Sequence, residues 1–100
     1  MADLTTWTLV AETKEFVGPL TVVVDGASWG GAFDVQVRQK GSRPIDTDWE
    51  AALLLGSDYG VLVGEGTSFP LTAGFRYLVY VRITASPEVP VLEAGAIRAI

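Results

Sequence analysis

Phe75-Arg76-Tyr77-Leu78-Val79-Tyr80-Val81-Arg82-Ile83-Thr84 is the stretch on which the fold turns. Side chains along a strand point alternately to opposite faces. The odd positions (Phe75, Tyr77, Val79, Val81, Ile83) are all apolar, so they predict a face turned to the core. The even positions mix Arg76 and Arg82 with Leu78 and Tyr80, which predicts a semi-apolar outer face that a neighbour could cover.

The same period of two recurs in Phe33-Asp34-Val35-Gln36-Val37-Arg38. Leu20-Thr21-Val22-Val23-Val24 is β-branched and apolar on both faces, the pattern of a central strand. Weaker strands are expected at Thr5–Glu12, around Glu15–Val17, at Trp49–Leu55 and Tyr59–Val63, and from Val91 to about Ala99. Turn residues separate them, among them Gly18-Pro19, Asp25-Gly26, Gly41-Ser42-Arg43-Pro44, Gly56-Ser57-Asp58 and Ala73-Gly74. Asp48 could cap one helical turn over Trp49–Leu53, but Leu53-Leu54-Leu55 suits a strand, which is preferred. The expected fold is all-β: a single antiparallel β-sandwich, Ig-like or jelly-roll-like, of about seven to eight short strands over residues 1–100. Pro87 and Pro90 place a bend before the last strand, and the apolar ending at Ile100 predicts that this end is docked, within the domain or on a partner.

The 100 residues hold no cysteine and no histidine. Disulfides, Ser-His-Asp and Cys-His nucleophilic sites, and His- or Cys-ligated metals are therefore excluded. Net charge is −5 and the isoelectric point lies near 4.4. Nonspecific binding to nucleic acid or to an anionic membrane needs a basic face, so neither partner is expected. The charge-free stretches Phe16–Val24 and Gly66–Phe75 fall far short of the roughly 20 residues a spanning helix needs. Met1-Ala2-Asp3-Leu4 has neither a basic nor an apolar leader pattern, and no signal peptide is expected.

Candidate chemistry is sparse. Gly64-Glu65-Gly66-Thr67-Ser68 has the glycines of a phosphate loop but lacks its lysine, so it reads as a hairpin turn. Asp46, Asp48 and Glu50 are spaced so that they could share a strand face as acids or converge on a calcium ion, although a solvated loop explains them as well. No catalytic residue, metal or cofactor is assigned.

Interaction is the stronger theme. Hydrophobic residues make up 49% of the chain and charged residues 19%, with a mean hydropathy of +0.35. A small domain has too little interior for so many apolar side chains, and monomers rarely expose large apolar patches. The surplus is expected in an interface with itself or another protein. The candidate contact residues are Trp29 in its glycine-rich loop, Leu78 and Tyr80 on the outer strand face, Ile97 and Ile100 in the final segment, and the basic Arg38, Lys40 and Arg43. Trp29 could instead fold back on its own core or, with Tyr59, stack on a sugar. Trp7 reads as core, and Trp49 as a cap at one end of the sandwich.

Gly26-Ala27-Ser28-Trp29-Gly30-Gly31-Ala32-Phe33-Asp34-Val35-Gln36-Val37 resembles small β-sandwich virion proteins of tailed bacteriophages, in which a strand, a Trp-Gly-Gly turn and an alternating strand recur. Leu71-Thr72-Ala73-Gly74-Phe75-Arg76-Tyr77-Leu78-Val79-Tyr80-Val81 looks like their later piece, a turn that launches a long strand. The resemblance implies a non-enzymatic structural virion protein, made in the host cytoplasm. It would be a capsid decoration (cement) protein binding the major capsid protein or, alternatively, a tail, baseplate or connector component.

Overall fold

The structure is a computed structural model that describes residues 5–20, 22–24, 27–28, 32–83 and 91–100. Trp29, most of the loop around it and the Pro87–Pro90 bend lie outside the described residues. Among the described residues there is no helix, and hence none long and apolar enough to cross a membrane.

The strands in chain order are β1 (Thr6–Leu9), β2 (Glu15–Val17), β3 (Val23–Val24), β4 (Ala27–Ser28), β5 (Asp34–Gln39), β6 (Glu50–Ala51), β7 (Leu53–Leu55), β8 (Asp58–Val63), β9 (Arg76–Arg82) and β10 (Val91–Ala99). Eight of them form two sheets, one ordered β1-β10-β9-β5-β6 and the other β2-β8-β7, while β3 and β4 pair as a hairpin. The chain passes between sheets at Ala52. Glu50 and Ala51 pair with β5, Ala52 N donates to Phe33 O at 2.9 Å, and Leu53–Leu55 pair with β8.

The long alternating stretch does what its period requires. Tyr77, Val79, Val81 and Ile83 enter one core with Val35 and Val37 of β5, Val17 of β2, Val61 and Val63 of β8, and Ile97 and Ala99 of β10. Burying a Val- or Ile-sized side chain is worth about 1.5–3 kcal/mol, so this shared core is the main force joining the two sheets. Trp7 packs against it and is half-buried.

Three expectations are corrected. The five-stranded sheet is not wholly antiparallel, because β1 runs parallel to β10 along its edge. Alternation carries no information on the direction of the partner strand, so the sequence pattern could not show this. Among the described residues, Leu20–Val24 does not form a central strand: Val23–Val24 pairs with Ala27–Ser28, Leu20 N donates to Tyr59 O at 2.8 Å, and Leu20 and Val22 enter the core from outside a strand. Their apolarity reflects core packing, not a ladder. Phe75 is exposed because β9 begins one residue later, after a turn in which Gly74 holds φ at 90°.

Candidate interaction surfaces

Register sorts the outer face of the five-stranded sheet into rows, since directly opposed residues share a face. One row is Thr8, Arg98, Arg76 and Lys40; Lys40 N bonds Arg76 O at 2.8 Å and so extends the ladder. The next row is Thr6, Ala96, Leu78 and Arg38, then come Glu93, Tyr80 and Gln36, and last Val91, Arg82 and Asp34.

The β5–β6 connection folds back over half of this face. Gln36 is fully buried there: its Nε2 donates to Ile45 O at 2.8 Å and its Oε1 accepts from Ile45 N at 2.9 Å. Arg38 Nε donates to Arg43 O at 3.1 Å, Arg38 Nη1 lies 3.9 Å from Asp48 Oδ2, and Tyr80 Oη reaches Ser42 O at 3.4 Å. At the far end, the Arg82 guanidinium stands 4.8 Å from the Trp49 ring centroid and donates to Asp34 Oδ2 at 2.8 Å. Trp49 therefore covers an arginine on the sheet face.

The uncovered half is a concavity of about 620 Å³, floored by Leu78 and Ala96 and rimmed by Lys40, Arg76, Arg98 and Glu93. Of the sequence-derived candidates, Leu78 and Lys40 meet here, whereas Tyr80, Arg38 and Arg43 belong to the covered half. Ile97 is corrected: at 1% exposure it points into the core, because its register places it opposite Tyr77 on the core face of the sheet. Ile100 is exposed, and its backbone is tied to Leu9 and Ala11, so this end docks within the domain. Val10 and Phe75 are exposed beside it: Phe75 O accepts from Ala99 N, and Val10 lies between the two residues that bond Ile100.

The other sheet carries a second apolar surface. Leu53, Leu54 and Leu55 are 40%, 53% and 57% exposed, on a strand that among the described residues pairs on one side. Leu53 and Leu55 share a face with Gly60, Leu62 and Phe16, and also with the exposed Asp58 opposite Leu55. A Cβ at Gly60 would lie 2.5 Å from Phe16 Cζ, so the phenyl ring rests on that glycine. Sequence reasoning missed this patch. An apolar triplet without alternation, just before Gly56-Ser57-Asp58, was its only signal.

The candidate acids do not converge. Asp48 faces Arg38 and Glu50 accepts from Ser68 Oγ. Among the described residues no group of three or more acidic side chains is placed to hold a metal ion. Gly64–Ser68 forms a closed turn in which Thr67 Oγ1 donates to Gly64 O at 2.7 Å and Gly64 N donates to Phe69 O at 3.0 Å. Tyr59 is half-buried with its ring 5.3 Å from that of Phe33, so it packs on the core and offers no open platform for a sugar.

No protein-family model matches the chain, and neither a curated protein nor a solved structure matches it.

Proposed function

We propose that this chain is a non-enzymatic structural subunit that works by docking its apolar surface onto neighbours in a larger assembly. Its two sheets are read as a β-sandwich of the Ig-like or jelly-roll-like kind. The observation that carries the reading is the exposed Leu53-Leu54-Leu55 strand at a sheet edge, of which Leu53 and Leu55 share a face with Phe16 and Leu62. Apolar, unpaired edges invite association and are normally blunted with charge or proline. Here three leucines occupy one. Fully burying a leucine is worth about 1.5–3 kcal/mol, so covering the exposed half of three gains roughly 2–5 kcal/mol before association costs. Repetition over a lattice then multiplies a modest single contact through effective concentration.

The resemblance to phage virion proteins supplies the setting. The chain is assigned as a head-decoration protein on the major capsid protein, with a tail, baseplate or connector place as the alternative. Sedimenting the purified chain with undecorated heads from the phage that encodes it tests this. Saturable recovery with heads, lost in Leu54→Glu, supports decoration. Recovery on tails alone moves the assignment to the alternative, and recovery on neither refutes both.

A further inference from the structure

Three of the chain's seven cations, Lys40, Arg76 and Arg98, stand side by side on neighbouring strands of the outer sheet face. Strands lie about 4.8 Å apart, so the row spans roughly 10 Å. Arg76 and Arg98 are directly opposed across β9 and β10, an arrangement that is unfavourable for like charges. Their environment does not relieve it. The ion pairs among the described residues are Arg38–Asp48 and Arg82–Asp34, and no described side chain hydrogen-bonds or pairs with Lys40, Arg76 or Arg98. All three are exposed. They border the concavity floored by Leu78 and Ala96, with Thr6 and Thr8 along its β1 side.

We propose that this row is a docking site for an acidic polypeptide segment of a partner protein, its carboxylates meeting Lys40, Arg76 and Arg98 while an adjacent apolar side chain rests on Leu78 and Ala96. Arginine forks bind carboxylates bidentately, and an anion between two opposed arginines turns their repulsion into attraction. The rest of the molecule decides which anion. With net charge −5 the chain repels an extended polyanion such as nucleic acid at long range, whereas a short acidic segment meets only the local row. Glu93 at the opposite rim limits the anionic run to that row and suits a mixed-charge polypeptide. The site is separate from the leucine edge, which lies on the other sheet.

The test is a fluorescence-anisotropy titration of the purified chain with a labelled peptide of six glutamates followed by two leucines, at low ionic strength. Saturable binding that weakens with salt is expected. Arg76→Gln and Arg98→Gln should each weaken it about tenfold. Arg98→Lys should retain part of it, and Lys14→Gln and Leu54→Glu should leave it unchanged. Far-ultraviolet circular dichroism checks that each variant folds, and Arg98→Lys keeps the test decisive should a glutamine variant unfold. The inference is overturned by no binding at low salt, by binding indifferent to the arginine variants, by equal loss in Lys14→Gln, or by single-stranded DNA or tripolyphosphate binding more tightly than the peptide.

Discussion

Replacing Gln36 probes how the loop between β5 and β6 is held against the sheet. Gln36 is 0% exposed and its amide makes a reciprocal pair with the Ile45 backbone, at 2.8 and 2.9 Å. Each such bond contributes a net of about 0.5–1.5 kcal/mol, so the pair is worth roughly 2 kcal/mol. Gln36→Leu loses both bonds but keeps an apolar side chain of similar size. Ile45 itself is 41% exposed, so its freed backbone groups can regain water, and the expected cost is about 1–2 kcal/mol. Gln36→Glu should cost more at neutral pH, because a buried carboxylate would face the Ile45 carbonyl oxygen.

The sign with pH follows from protonation. Burial and that carbonyl raise the folded-state pKa of the introduced carboxyl above its unfolded value. The Gln36→Glu deficit is therefore largest above the raised pKa and shrinks as pH falls, since the protonated acid can donate to Ile45 O. Urea denaturation followed by circular dichroism, each variant against the parent at each pH, measures this. About 1 kcal/mol corresponds to a shift of roughly 4–8 °C in Tm for a domain of this size. Hydrogen exchange at the Ile45 amide should accelerate in both variants. A Gln36→Glu protein as stable as the parent at neutral pH, with no pH-dependent difference, would refute the reasoning.

Other outcomes follow from the same geometry. Gly60→Ala should destabilise by at least 2 kcal/mol or so, because its Cβ would fall 2.3 Å from Val17 O, a backbone atom that cannot step aside. Gly66→Ala has open space and should cost only about 1–2 kcal/mol, the strain of φ at +79°; equal Tm losses would contradict this ranking. Arg98→Glu turns a like-charge cross-strand pair into an opposite-charge one, and should raise stability by about 0.2–1 kcal/mol while abolishing acidic-peptide binding. Leu54→Glu, on an exposed side chain, should change the unfolding free energy by less than about 0.5 kcal/mol.

Much of the fold was legible because alternation is a local property. The core face of β9 follows from which side chains are apolar at every second position, and the rough bounds of β2 and β10 from the turn residues that flank them. Direction and register are not local, so the parallel β1–β10 edge was invisible. So was the placing of Arg98 beside Arg76, since two arginines 22 residues apart become neighbours only through the β9–β10 pairing. Ile97 and Ile100 show the same boundary at finer scale. Both are apolar and near the chain end, but one lies in the core and the other at the surface, set by the strand pairing around them. Gln36 is a polar member of an alternating strand; its burial by a returning loop is a tertiary event that its neighbours in sequence do not encode.

The most direct test compares hydrogen–deuterium exchange of the free chain with that of the chain in its native particle. The account predicts that those backbone amides of Leu53–Leu55 that point away from β8 exchange quickly in the free protein and become strongly protected in the particle. Equal exchange in both states, with that strand open to water in its working environment, would contradict it.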